Sequence, residues 1–298
     1  MNRSEIYKKV TDTILEQLEQ GIIPWERPWF GTAEGPRSGQ SGEPYSMLNQ
    51  MLLIVPGRYF TFAECIKLKA NVKKGSKSKQ IVFFKPLAVK DETTETGMKT
   101  IPMLKYFNVF HESQIDNLPE DTKQQQRIDL SSIDPESGFS RAEQLIREYT
   151  RRESVNYLET ASNSAYYNYD GDKVVVPLKT QFKRLEAFYG VAFHELAHST
   201  KHEKRLNRDM KKAWGDDIYA KEELIAEFSS AFLLHNFGLE SVAEDRNTAA
   251  YIQSWSNQLR ADPNVFISAS SKAKQAVDFI IGKAREDWNP IEEEEQAA

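Results

Sequence analysis

Tyr189-Gly190-Val191-Ala192-Phe193-His194-Glu195-Leu196-Ala197-His198-Ser199 is the stretch on which the fold turns. It contains an H-E-x-x-H, His194-Glu195-Leu196-Ala197-His198. On a helix, positions i and i+4 share one face a turn apart. Two imidazoles so placed can hold one Zn²⁺ through neutral nitrogens. Zinc lowers the pKa of a bound water to about 7. Glu195, projecting beside the two histidines, is placed to take that proton and pass it to a leaving amine. Apart from Glu195, no charged side chain occurs from Val191 to Thr200. The helix therefore offers the dry surroundings that suit a metal ligand set.

A catalytic zinc needs a third protein ligand and one open position. Glu222-Glu223-Leu224-Ile225-Ala226-Glu227 supplies a candidate, with Glu223 standing 29 residues after His194. That separation accommodates a loop and the return of an antiparallel helix. Glu223 and Glu227 are i, i+4, so Glu223 reads as the third ligand. Glu227 reads as the acid that accepts a bond from a ligating histidine. Glu222 reads as a solvated acid near a helix N-terminus, favoured there by the dipole. His202 continues the i+4 series, but one straight helix does not bring three successive turns to one tetrahedral ion. The longer H-E-x-x-H-x-x-G-x-x-H pattern fails, because Lys201 and Lys204 hold its last two marked places. His111 and His235 belong to no motif, and His235 reads as a surface or capping residue. Lys173 to Pro177 reads either as a sheet edge to which an extended peptide adds or as a purely structural strand.

Outward from the motif, periodicity predicts helices at 140–150, 181–202, 217–237 with Gly238 as cap, 242–260 and 271–286, and a strand at 172–177. Residues 140–290 thus form a mainly helical domain with a short sheet. The acidic tail, 291–298, is expected to be disordered. Residues 119–139, rich in Pro, Gln, Asp and Ser, read as a linker. Residues 1–118 form a separate domain. It opens with an amphipathic helix over 4–19 capped by Ser4, then a loop-like stretch over 24–46. Tyr59 to Lys69 enters a helix with Thr61 as cap, and strands are predicted at Ile81–Pro86 and Met103–Phe110, separated by a polar turn. The fold class is α+β.

The two halves differ in charge. Residues 1–90 hold 14 Lys and Arg against 8 Asp and Glu, a net of +6, whereas the remainder is at -11 within a chain of -5 overall. Lys67, Lys69, Lys73, Lys74, Lys77, Lys79, Lys85 and Lys90 fall close together, and no acid occurs from Cys65 to Val89. Aromatic residues bracket them: Trp25, Trp29, Phe30 and Tyr45 upstream, then Tyr59, Phe60, Phe62, Phe83 and Phe84. Lysines neutralise phosphates and exposed rings stack on unpaired bases. That pairing suits single-stranded DNA better than duplex. The alternative is a solvated lysine face over rings that fill a core, one of Phe83 and Phe84 among them. Trp25, Arg27, Trp29, Lys73, Lys74, Lys77 and Lys79 are the DNA-contact candidates.

The chain has 298 residues, and its longest uninterrupted apolar run, Met51 to Val55, is too short to span a membrane. The polar N-terminus shows no secretory signal. Cys65 stands alone, so no internal disulfide forms, and the expectation is a buried thiol in a cytoplasmic protein.

The two halves together resemble the ArdC-type antirestriction proteins of conjugative plasmids. The N-terminal resemblance rests on Pro24-Trp25-Glu26-Arg27-Pro28-Trp29, Tyr59-Phe60-Thr61-Phe62, Val72-Lys73-Lys74-Gly75-Ser76-Lys77 and Phe107-Asn108-Val109-Phe110. The C-terminal one rests on Tyr189 to His198, His202 to Asp209 and Glu222 to Glu227. It implies a single-stranded-DNA-binding domain joined to a zincin-like metallopeptidase domain, in a protein linked to protecting incoming DNA from restriction endonucleases. It implies one Zn²⁺ per chain on His194, His198 and Glu223, with Glu195 as general base. One departure is Thr200, where the family usually has Trp; it bears on the cleft rim and substrate choice. Three functions stay open: a DNA-binding peptidase, a DNA-binding protein that occludes without cutting, and a peptidase that cleaves a regulatory protein.

Overall fold

The N-terminal helix forms because Ile6, Val10, Ile14 and Leu18 make one apolar stripe, and all four are buried. It spans Arg3–Glu19 (α1), which places Ser4 inside the helix and not at its cap. Gly21, at φ +76°, turns the chain away. The computed structural model describes residues 3–27, 35–90, 98–120, 135–208, 216–240 and 247–282. The expected tail, Trp29, Phe30 and most of the linker lie outside those residues.

A sheet follows α1. Its strands are β1 (Pro36–Ser38), β2 (Gly57–Thr61), and, later in the chain, β4 (Lys79–Lys90) and β5 (Met98–His111). The order is β1-β2-β5-β4, with β1 parallel to β2 and the other pairs antiparallel. Helix α2 (Met47–Leu52) is clamped to β4 by Asn49, whose amide donates to the Val82 carbonyl at 2.9 Å and accepts from the Val82 N–H at 2.8 Å. Thr61 ends β2 and caps α3 (Phe62–Lys67) through a reciprocal pair of bonds with Glu64, as its sequence position predicts. A two-stranded ribbon, β3 (Asn71–Val72) with β6 (Ile115–Asp116), closes this half. Cys65 is buried with Phe60, Ala70 and Ile115.

The C-terminal half begins earlier than expected. Helix α4 spans Pro135–Glu153 and absorbs the end of the predicted linker; Pro135, whose missing N–H costs nothing in a first turn, starts it. Then come β7 (Asn156–Thr160), β8 (Tyr166–Asn168) and β9 (Lys173–Pro177). The order β7-β9-β8 places β9 in the middle of the sheet. Lys173 to Pro177 is therefore not an edge strand, because β7 and β8, too short and too polar to show in the pattern, cover both its sides. Helices α5 (Leu185–Ser199), α6 (Asp216–Asn236), α7 (Thr248–Ala261) and α8 (Val265–Ile280) complete the half. Helix α8 starts six residues before its predicted start, with Val265, Phe266 and Ile267 buried. No described helix is long and apolar enough to cross a membrane.

The halves share one core and do not stand apart. The largest apolar cluster takes in α1 and α2 together with α5, α6 and α8. Trp25 joins them: its ring lies 5.0 Å from Phe228 and 6.1 Å from Phe266, and its Nε1 donates to the Tyr251 hydroxyl at 3.1 Å.

Arg205, just beyond α5, pins the small sheet to that helix. Its Nε donates to the Ser199 carbonyl at 2.7 Å, and its guanidinium holds the Asp172 carboxylate and the Tyr167 hydroxyl. Burial works against the Asp172 charge, but the Arg205 and Tyr167 bonds outweigh it and lower its pKa. Asp172→Asn, which strands a buried guanidinium, is expected to lower stability by about 3 kcal/mol, read by denaturant unfolding at neutral pH. The sign follows from the lowered pKa: this contribution is whole above the ordinary aspartate range, about 3.9, and fades as pH falls through the folded value. An unchanged midpoint in the variant would remove the pin from the fold's stability.

Candidate metal centre

Helix α5 is apolar nearly all round, and Ala192, Phe193, Leu196 and Ala197 are fully buried. Such a helix belongs in a core, so whatever polar groups it carries are held rigidly. Helix α6 runs beside it. The two helices touch at Gly190, whose carbonyl accepts from Ser230 Oγ at 2.7 Å.

This packing converges His194, His198 and Glu223, whose ligand atoms all lie within 4.8 Å of one another. The two Nε2 atoms are 3.1 Å apart; Glu223 Oε2 is 3.3 Å from His194 Nε2 and its Oε1 is 3.4 Å from His198 Nε2. A tetrahedral zinc with bonds of about 2.0–2.1 Å sets neighbouring donors about 3.3 Å apart. Two imidazoles and one carboxylate at these separations fit a divalent ion. Glu195, from the same helix, is buried beside them. Burial raises its pKa against the opposing pull of both histidines, and the Tyr167 backbone N–H donates to it from β8.

The acid behind His198 is Glu222. Its Oε1 lies 3.3 Å from His198 Nδ1. That contact orients the ring: Nδ1–H donates to Glu222, and Nε2, facing Glu223 and His194, is the nitrogen that serves a metal ion once its proton has left. Glu222 is only 3% exposed, the opposite of the solvated acid its place near a helix start predicts. The reason is Arg208, whose Nε and terminal nitrogen donate to the two Glu222 oxygens at 3.0 and 2.6 Å. Burial opposes the Glu222 charge, but Arg208 and His198 hold its pKa at about 2. Glu227 lies one turn nearer the Gly190 end of the helix pair. For His198 burial likewise opposes charge, yet Glu222 and Glu223 raise its pKa to about 9. A metal ion entering here displaces a proton.

Thr200 is fully buried beneath the site, so the departure at this position does not touch the rim. Its hydroxyl donates to the Ala197 carbonyl and accepts from Arg208 at 2.6 Å. His202 stacks on Tyr169 with ring centres 4.7 Å apart, away from the converged donors. His235 is buried inside the end of α6, not at the surface. Sequence reasoning missed Glu222, Arg208 and two bordering groups. Lys201, on the His198 face, has its pKa lowered by burial against the pull of Glu222, Glu223 and Glu195. The exposed Tyr219, one turn before Glu223, has its phenol pKa raised first by the Glu223 charge. No spacing rule marks any of them. Glu222→Ala is expected to weaken metal binding about 10–100-fold, measured by competition with a chelating dye. Glu222→Gln, which keeps an acceptor, is expected to lose less, and equal affinity in all three proteins would deny Glu222 this role.

The proposed DNA contacts divide. Lys73, Lys74, Lys77 and Lys79 are exposed. Lys73 donates to the Ser113 carbonyl at 2.8 Å and faces Asp116 at 3.6 Å. Arg27 is half-buried. Trp25 is 0% exposed and cannot stack on a base, which corrects its assignment. Tyr59 and Phe60 are likewise buried, whereas Phe62 and Phe83 are exposed.

Comparison with known proteins follows the same division. A model of the N-terminal domain of anti-restriction factor ArdC matches residues 4–110, and one of a zincin-like metallopeptidase matches 141–272. The solved antirestriction protein ArdC of plasmid R388 superposes in its metal-free form with a TM-score of 0.67 at 31% identity, covering 92% of this chain and 96% of that one. Its Mn(II)-bound form gives 0.69 at 28% identity, covering 97% and 100%. DNA primase TraC of Escherichia coli is 28% identical over 302 residues, which take in 94% of this chain and 27% of TraC. The chain thus spans about a quarter of that curated relative. Uncharacterized protein y4eC of Sinorhizobium fredii is 26% identical over 93% of this chain and 92% of its own length.

Proposed function

Since the chain belongs to the ArdC family of antirestriction proteins, we propose that it binds single-stranded DNA through its N-terminal half, holds one zinc ion per chain, and protects incoming conjugative DNA from restriction endonucleases in the cytoplasm. The observation behind the zinc assignment is the pair of histidine Nε2 atoms, 3.1 Å apart, facing the two oxygens of the Glu223 carboxylate at 3.3 and 3.4 Å, with Glu195 beside them. A zinc ion bound there supplies Lewis acidity and lowers the pKa of a coordinated water. The remaining work falls to the chain. Glu222 and Arg208 orient His198. Glu195, its carboxylate fixed by the Tyr167 N–H, has a pKa raised by burial toward the working pH, which suits a group that takes and returns a proton. Strand β8, which supplies that N–H and pairs on its other side with β9, is the sheet edge nearest Glu195. An extended segment of a restriction endonuclease or another protein fits there by strand addition.

Unmodified DNA transferred into a restricting host tests this, with and without the protein and with Glu195→Gln. Protection by the wild type that the variant loses supports cutting; protection that both retain supports occlusion by a bound protein. No protection by either overturns the antirestriction reading.

A further inference from the structure

We propose that Phe83 and Phe107, with Lys79 and Lys105 around them, form a platform on which the unpaired bases of a single strand stack. The proposal rests on the DNA-binding reading above and locates its contact surface. Residues directly opposite each other in an antiparallel pair share a face. The β4–β5 register therefore places Lys79, Ile81, Phe83, Lys105, Phe107 and Val109 on one face. On the other face, Val82 is buried in the core that includes α1. On the first face, Ile81 and Val109 are covered by Leu53 and Tyr59. The cover stops there. Phe83 is 43% exposed, Phe107 41%, and Lys105 is exposed as well.

The two rings meet edge to face, with centres 5.6 Å apart at 78°, and Tyr45 braces Phe83 from 6.4 Å. Their orientation is set before anything binds, so a stacking base does not have to order them. Two phenylalanines left in the open side by side mark a surface that awaits a partner. Charge selects which one. Strands Lys79–Lys90 and Met98–His111 carry five lysines and no Asp or Glu. A second copy of this chain docking through the same face would bring the same positive charge. A polyanion with exposed aromatic faces matches both features, and a duplex, its bases already stacked, does not.

The test is fluorescence anisotropy of a labelled oligothymidine and of an abasic strand with the same phosphates, on the full chain. Wild type is expected to prefer the strand with bases. Phe83→Ala with Phe107→Ala is expected to bind oligothymidine at least about tenfold more weakly, to bind both strands alike, and to keep the wild-type salt slope. Lys79→Gln with Lys105→Gln is expected to flatten that slope. Phe107→Trp, which restores a stacking ring, is expected to keep the preference and guards against loss through misfolding. A double alanine variant that still prefers bases overturns the platform but not DNA binding. Wild type that binds neither strand at low salt overturns both.

Discussion

Glu195→Gln is expected to retain one equivalent of zinc while peptide hydrolysis falls by about 10²–10⁴-fold, the usual contribution of a general acid–base group. The two effects separate because Glu195 is not among the converged donors, which are His194, His198 and Glu223. Glutamine keeps the size of the side chain and can still accept from the Tyr167 N–H, so α5 and β8 stay together. It cannot take a proton. His198→Ala, in contrast, removes a donor and leaves the Glu222–Arg208 pair without its histidine, so metal and hydrolysis are lost together. Equal hydrolysis by the Glu195→Gln and wild-type proteins would mean that another group handles the proton or that the site does not cut.

Trp25→Ala is expected to cost about 3–5 kcal/mol of stability, the range for deleting a fully buried large aromatic side chain. The ring is enclosed by Phe228 of α6 and Phe266 of α8, and its Nε1–H is bonded to Tyr251 of α7. One residue from the N-terminal half thus fills a gap between three helices of the C-terminal half. The loss is expected in one unfolding transition common to probes in both halves, since the core is continuous. DNA affinity at a temperature where the variant is folded is expected to be unchanged. A variant of normal stability with weakened DNA binding would return Trp25 to the DNA surface.

The motif helix was readable because both signals in it are local. An apolar run sets the buried helix, and the i, i+4 spacing sets the two histidines on one face. Glu223 was readable from its distance along the chain to an antiparallel partner. Glu222 was not, because its burial depends on Arg208, 14 residues earlier in sequence and in no periodic pattern with it. Composition could not tell Trp25 from Phe83: both are aromatic residues in a basic half, one enclosed by helices from the far end of the chain, the other left outside by a sheet register. Strands β7 and β8 were missed because Asn156–Thr160 and Tyr166–Asn168 are short and largely polar. Missing them turned a central strand into an apparent edge.

Calorimetric titration of zinc into metal-free wild type and Glu223→Ala tests the three-donor site most directly. One ion per chain in the wild type is expected, with affinity lowered in the variant by more than the roughly 100-fold that an outer-sphere change can cause. Zinc binding of equal stoichiometry and affinity in the two proteins would contradict the assignment of His194, His198 and Glu223 as one metal centre.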